Sequence, residues 1–449
     1  MRASWDDTIA AVATPPGRGG VGVIRVSGPS VESLLPALIG KMPQPREAVF
    51  CAFKDASGRT LDQGIALYFQ NPRSFTGESV LELHAHGNPI LLDLILSRLF
   101  ELGCRAARPG EFSERAFLNN KIDLAQAEAI ADLINAETAQ GVKAATRSLD
   151  GDFSREIHAL VEACIQLRLY VEAAIDFTDE EIDFLSEAGV LDQIRDLRER
   201  LDAIIKLSKQ GSLLREGMTL VLAGKPNAGK SSLLNRLSGR DAAIVTAIAG
   251  TTRDTLKEHI ELEGIPLHII DTAGIRTEAT DAVEEEGIRR ARAALDHADL
   301  ILIVVDDRVP EDLDELTNGL PQGPVRLIIR NKIDLTGNAE GIVGNSKDHE
   351  IRLSLKTGQG VETLRQKIVS LVRQEPVAEG VYMARRRHIE ALEATRTEIR
   401  MAEEALMTRG AELVAEHLRI AQTHLSDITG EFSTDDLLGR IFSSFCIGK

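Results

Sequence analysis

The eight residues GKPNAGKS at 224–231 fit the pattern G-x-x-x-x-G-K-[S/T], and their flanks constrain the fold more than any other stretch. An apolar run, MTLVLA (218–223), leads into them, and SLLNRLSG (232–239) follows with apolar residues at helical spacing. Strand, glycine-rich turn and helix in that order build a phosphate cradle. The backbone N–H groups of Asn227, Ala228, Gly229 and Ser232 can converge on phosphate oxygens. Lys230 reaches the terminal phosphates, and the Ser231 hydroxyl can ligate Mg²⁺. Residues 216–374 alternate strand-like and helix-like segments around this loop, which reads as a parallel α/β sheet.

Three further stretches choose the base. DTAG (271–274) follows the strand-like IPLHII, which places Asp271 behind a magnesium ion and Thr272, Ala273 and Gly274 near the γ-phosphate. NKID (331–334) follows VRLIIR and contributes Asn331, Lys332 and Asp334. The Asp334 carboxylate can accept hydrogen bonds from guanine N1–H and N2–H₂, a donor pair that adenine lacks. SLK (Ser354, Leu355, Lys356) offers a backbone N–H to guanine O6. Four motifs in this order read as a guanine-nucleotide domain. Many GTPases place a water-orienting glutamine directly after DxxG, but here Ile275 stands there, and an aliphatic side chain cannot orient water. GTTRDT (250–255) supplies a switch-like loop whose Thr252 can ligate Mg²⁺. The acidic run Glu284, Glu285, Glu286 offers a carboxylate for the water or is a solvated helix face, and spacing does not choose among the three.

The 449 residues leave room for about three domains. Residues 1–119 mix strand-like VGVIRV (21–26) and SVLELHAH (79–86) with NPILLDLILSRLFELG (88–103), where Leu91, Leu94, Ile95, Leu99 and Leu102 recur at helical spacing. From 120 to 214 the texture is amphipathic helix, with Phe153, Ile157, Leu160, Cys164, Val171 and Ile175 on one stripe and Leu191, Ile194, Leu197, Leu201 and Ile204 on another. That texture returns over 376–449, so the α/β block 215–375 reads as an insertion into one helical domain. The fold class is therefore multidomain: an α+β N-terminal domain, a discontinuous all-α domain and an inserted P-loop α/β domain.

A net charge of −17 argues against a large direct nucleic-acid footprint, since phosphate contacts need clustered Lys and Arg. The longest apolar runs, such as LILIVV (300–305), are strand-sized, and MRASWDDTIAAVATPPG lacks the pattern of a secretory signal. Cys51, Cys104, Cys164 and Cys446 show no CxxC spacing, which points to a reducing, cytoplasmic setting. His84 and His86 share one side of a strand without further ligands beside them and read as structural.

The chain resembles the MnmE/TrmE family of tRNA-modifying GTPases. The resemblance rests on DTIAAVATPPGRGGVGVIRVSGP (7–29), GEFSERAFLNNKIDLAQAEAIADLI (110–134), GKPNAGKSSLLN (224–235), IVTAIAGTTRD (244–254), DTAGIR (271–276) and the tail TGEFSTDDLLGRIFSSFCIGK (429–449). It implies an N-terminal domain that binds folate and forms a homodimer, and G domains that hydrolyse GTP to GDP with K⁺ in place of an arginine finger. The implied K⁺ ligands are Asn227, Thr246, Ile248 and Thr251, within a loop that also carries Ala247, Ala249 and Gly250, and the Mg²⁺ ligands are Ser231 and Thr252. In VEEEGI (283–288) the resemblance singles out Glu284 for positioning water. It places folate contacts at Arg25, Glu82, Lys121 and Lys449, types suited to a pterin's donor and acceptor edges. The implied reaction adds an aminomethyl or carboxymethylaminomethyl group at C5 of the tRNA wobble uridine. Its one-carbon donor is 5,10-methylene-tetrahydrofolate, and its FAD comes with a partner of the MnmG/GidA type.

The tail FCIGK raises its own question, because Cys446 can be a lipid anchor, a reactive thiol or a small packed residue. Prenylation requires a different final residue than Lys449. Packing by Phe445 and Ile447 is the bland reading. The resemblance implies that the tail reaches the folate pocket and that the cysteine takes part in modification.

Overall fold

The computed structural model describes residues 6–176, 189–237, 257–271, 295–296, 298–309, 320–321, 323–343, 349–372, 380–408, 410–431 and 435–448. The chain packs into two compact units, one of Met1–Ile134, Arg147–Asp202 and Glu390–Lys449, the other of Asn135–Thr146 and Ala203–Ile389.

The first unit opens with β1 (Ile9–Val12), β2 (Gly19–Ser27), β3 (Val49–Lys54), β4 (Thr60–Phe69), β5 (Val80–Gly87) and β6 (Arg105–Ala106). They form one sheet in the order β3-β4-β5-β2-β1-β6, antiparallel except at the β1–β6 edge. Period-two alternation sends Ile24 and Val26 of β2 into the core and leaves Val23 and Arg25 on the opposite, half-buried face. Helices Val31–Ile39 and Pro89–Glu101 bring Leu34, Leu35, Leu38, Ile95 and Leu99 to the same core as Phe53, Tyr68, Leu81 and Leu83. The second helix starts where Asn88 accepts a 3.0 Å hydrogen bond from the Ile90 N–H. Its buried stripe is Leu92, Ile95 and Leu99, and Leu94 is 51% exposed. The expected stripe was thus partly misplaced. This helix is apolar on several sides, and Leu94 lies two residues from Leu92, across a 3.6-residue turn.

The helical part of this unit pairs Asp152–Asp176 with Ala411–Thr429. Phe153, Ile157, Leu160, Cys164 and Val171 are buried on the first, and Val414, Leu418, Ala421 and Leu425 on the second. An Arg168-to-Gln422 hydrogen bond of 2.9 Å adds register. Residues far apart in sequence thereby share one core, which is what an inserted middle block requires.

The second unit carries β7 (Met218–Ala223), β8 (Lys257–Leu262), β9 (Ile265–Asp271), β10 (Leu300–Asp306), β11 (Val325–Asn331), β12 (Gly341–Val343) and β13 (His349–Leu353), in the order β12-β13-β11-β10-β7-β9-β8. The five inner strands are parallel, and β8 and β12 are antiparallel edges. Leu300 to Val305 of the central β10 are all buried, the continuous apolar run expected of a strand covered on both faces. No helix among the described residues is long and apolar enough to cross a membrane.

Candidate functional site

Parallel strands deliver their carboxyl ends to one edge, and in open α/β sheets that edge is where ligands bind. Here β7 ends in the loop 224–229, Asp306 lies in register with Asn331 at the ends of β10 and β11, and Asp271 closes β9. A cavity of about 670 Å³ opens at this edge, lined by Asn227, Gly229, Lys230, Ser231, Ser232, Asn331, Lys332, Asp334, Leu355 and Lys356, together with Pro226 and Leu335. Three separate sequence motifs therefore meet at one hollow.

Asn331 joins the motifs physically. Its Nδ2 donates to the Ala228 carbonyl at 2.9 Å, while its Oδ1 accepts from the Lys332 N–H at 2.8 Å and the Leu355 N–H at 3.1 Å. The phosphate loop, the NKID turn and the SLK turn are thus tied through a side chain only 4% exposed. Gly229 makes this approach feasible: a Cβ there would stand 2.3 Å from Asn331 Nδ2, and its φ of +114° suits glycine alone. Lys230 is almost buried, its ammonium donating to the Gly224 and Lys225 carbonyls at 2.7 and 3.1 Å. Ser354, fully buried, donates to Asp334 Oδ1 at 2.6 Å, and Asp334 lines the cavity.

Two contributors escaped sequence reasoning. The Asp306 carboxylate accepts from the Lys332 ammonium at 2.7 Å, which holds that side chain across the loop so that it also donates to the Asn227 carbonyl at 2.8 Å. Hydrogen bonds from Arg308 first, then Lys332, hold the Asp306 carboxyl well below the usual carboxylate range. Its position at the end of a fully buried parallel strand was the available signal. Arg236 fixes the SLK turn by donating to the Leu355 and Lys356 carbonyls at 2.9 and 3.1 Å. Thr246, Ala247, Ile248, Ala249, Gly250, Thr251, Thr252, Thr272, Ala273, Gly274 and Glu284 lie outside the described residues, as does Lys449.

In the first unit, register places Arg25 directly opposite Glu82. The guanidinium grips Oε1 through Nε at 2.9 Å and a second nitrogen at 2.8 Å, and it lies 5.5 Å from the Phe75 ring centre and 5.8 Å from that of Phe112. It also donates to the Gly448 carbonyl at 3.5 Å, so the chain's tail does reach this pair. His84 Nε2 is buried without a hydrogen-bond partner, 3.8 Å from Glu82 Oε2. His86, in contrast, pairs with Asp62 at 2.9 Å. Lys121 lines a polar cavity of about 500 Å³ and donates to the Pro72 carbonyl at 2.8 Å.

Phe445 is buried against Phe442 and Leu124, whereas Ile447 is 59% exposed, so the phenylalanine alone anchors the tail through its side chain. A Cβ on Gly448 would stand 2.4 Å from the Val12 carbonyl, which shows how closely the tail backbone lies on β1. Cys446 is exposed and lines an apolar cleft of about 720 Å³ with Ala10 to Gly17, Leu92 and Phe100. The other three cysteines are buried, and burial pushes their thiols up, Cys104 to about 11 and Cys164 to about 12. Buried thiols of that kind are poor nucleophiles, and Cys446 is the one cysteine of the four that is exposed.

The MnmE helical domain family matches residues 124–446, and the family described as GTP-binding protein TrmE N-terminus matches 8–121. The tRNA modification GTPase MnmE of Methylococcus capsulatus is 56% identical over 449 residues, 100% of both chains. That of Sodalis glossinidius is 56% identical over 99% of this chain and 100% of its own, and that of Photobacterium profundum 53% identical over 99% of each. With its N-terminal sheet domain, split helical core and P-loop sheet accounted for along their whole length, the chain belongs to the MnmE family.

Proposed function

We propose that this chain is a GTP-hydrolysing tRNA-modification enzyme, and that its finer chemistry is addition of an aminomethyl or carboxymethylaminomethyl group at C5 of the wobble uridine. The observation that carries the nucleotide half is Asn331, which ties the phosphate loop to the two turns that face the base. In this reading Asp334 selects guanine, Lys230 meets the terminal phosphates, and Glu284 positions the attacking water. Ser231 and Thr252 would hold Mg²⁺, and Asn227, Thr246, Ile248 and Thr251 would hold K⁺. When bound, these cations offset charge developing on the phosphate oxygens.

For the one-carbon half, the orphaned His84 Nε2 beside Glu82 fits a heterocycle that presents both a donor and an acceptor. Glu82 and Arg25 would orient a folate-type donor, with Lys121 and Lys449 available to its carboxylates, and Cys446 stands exposed at the neighbouring cleft. Methylene-tetrahydrofolate supplies the carbon, and FAD enters through an MnmG/GidA-type partner. The chain acts in the cytoplasm as a homodimer joined through the N-terminal domain, within the division 1–119, 120–214, 215–375 and 376–449. With a net charge of −17, the partner supplies much of the basic surface for tRNA.

Nucleoside mass spectrometry of bulk tRNA tests this in cells that lack the gene, complemented with wild type or Cys446→Ser. Wild type restores the modified wobble uridine and the serine form does not. Restoration by both would make the cysteine structural, and no change with either would sink the modification reading.

A further inference from the structure

The β8–β9 hairpin carries ligating side chains that the nucleotide chemistry does not use. His259 on β8 and His268 on β9 stand directly opposite each other in register. Their Nδ1 atoms are 2.8 Å apart, with the rings edge to face. Glu137, in the turn before helix Ala139–Leu149, brings Oε2 to 3.5 Å from His259 Nδ1. One ligand atom from each residue lies within 4.8 Å of the others, and all three residues are half-buried. The segment that carries Glu137 is seated on the hairpin, since a Cβ on Gly264 at its turn would stand 2.3 Å from Gln140 Cδ. All of these residues belong to the second compact unit.

The proton on His268 is set by its surroundings. Its Nε2 lies 3.1 Å from the Glu216 carbonyl, and a carbonyl only accepts, so Nε2 carries the hydrogen. In the neutral ring Nδ1 is then a bare lone pair facing His259 Nδ1, 2.8 Å away. This is the arrangement by which metal-binding histidines are oriented, with the far nitrogen donating to a backbone carbonyl.

We propose that Glu137, His259 and His268 form a binding site for a transition-metal cation of the zinc class. Two imidazole nitrogens and one carboxylate oxygen suit Zn²⁺, whereas Mg²⁺ and Ca²⁺ prefer all-oxygen sets. Bonds of about 2.0–2.1 Å at the tetrahedral angle need the two nitrogens roughly 3.3 Å apart. The rings must therefore open by about half an ångström, and at 35% and 30% side-chain exposure His259 and Glu137 have room to move. A fourth position stays open to water. His268 lies three residues before Asp271 on the same strand, so the cation ties the segment 135–146 to the strand that delivers the DTAG motif.

The test uses the untagged full-length chain with Zn²⁺ alone, titrated calorimetrically in excess Mg²⁺. Wild type binds one zinc equivalent that Mg²⁺ does not displace. Glu137→Gln, His259→Gln and His268→Gln each weaken it by at least the roughly 10- to 100-fold seen when a supporting partner of a metal site is lost. Co²⁺ in the site gives a ligand-field spectrum without sulfur-to-metal charge transfer, which separates it from any cysteine site. GDP binding checks that each variant is folded. Should a histidine variant fail that check, Glu137→Gln still reads the loss. Absence of the zinc equivalent in wild type, or its persistence in the folded His259→Gln/His268→Gln double variant, overturns the proposal.

Discussion

Replacing Asp334 with Asn reverses the nucleotide preference of this chain from GTP to XTP. Ser354 fixes one oxygen of the Asp334 carboxylate at 2.6 Å, which leaves the second oxygen of this cavity-lining side chain free of that bond. A carboxylate can only accept, which matches the N1–H and N2–H₂ donors of guanine and clashes with the C2 carbonyl of xanthine. An amide in the same place presents an N–H₂ to that carbonyl. Hydrogen bonds to a charged group contribute about 1.5–3 kcal/mol each. Losing two of them lowers GTP affinity by roughly 100-fold or more, about 3 kcal/mol at 1.4 kcal/mol per decade. Competition between fluorescent GDP and XDP reads both arms. A variant that keeps its guanine preference would place the base elsewhere.

The second large effect is on stability. Arg115 is fully buried, yet it serves three carboxylates: Asp7 at 2.8 Å, Glu78 at 3.1 Å and Glu111 at 3.1 Å. Arg105 still pairs with Asp7 and Glu111 at 2.7 and 2.6 Å, so removing Arg115 chiefly leaves the mostly buried Glu78 uncompensated, a cost toward the lower end of the roughly 3–5 kcal/mol for breaking a buried ion pair. Arg115→Met keeps the volume and deletes the charge, so it unfolds at a clearly lower urea concentration near neutral pH. Far-UV circular dichroism follows the transition. The pH dependence has a definite sign. Burial alone would raise the Glu111 carboxyl, but hydrogen bonds from Arg105, the Arg108 N–H and Arg115 outweigh it and hold the group at about 2, below its ordinary 4.5. Its contribution, about 3 kcal/mol by linkage, is present above the ordinary value and is lost as the pH falls from there toward 2. With Arg115 gone, the carboxylates protonate more readily in the folded state. The gap between variant and wild type therefore narrows in acid, and a constant gap across pH would show that the loss is one of packing alone.

What the sequence made legible was whatever a contiguous stretch encodes. A phosphate loop is eight adjacent residues between a strand and a helix, and NKID and SLK each lie on a single turn, so the nucleotide hollow could be assembled by order alone. The buried β10 and the stripe on Asp152–Asp176 showed themselves through periodicity. Cross-chain partnerships did not. Nothing in the spacing of Asp306 and Lys332 says that one holds the other, and Glu137 is more than a hundred positions from the histidines it meets. GEFSERAF was conspicuous as a block, but its Glu111 and Arg115 become a charge cluster only once Asp7 and Glu78 arrive from distant loops. Register and tertiary approach decide such pairs, and they follow from the whole fold rather than from any one segment.

The split helical core also sets a timetable for synthesis. The helix that is complete at Asp176 packs most extensively on a segment that starts at Ala411. At roughly 5–20 residues per second, the ribosome takes on the order of 10–50 s to deliver it. Through that interval Phe153, Ile157, Leu160 and Val171 wait for the helix they pack against most, while the P-loop sheet between can already close. The newborn protein thus spends tens of seconds with a finished middle and a bare flank, and that flank is where trigger-type holding chaperones, or failing them a neighbouring nascent chain, would first take hold.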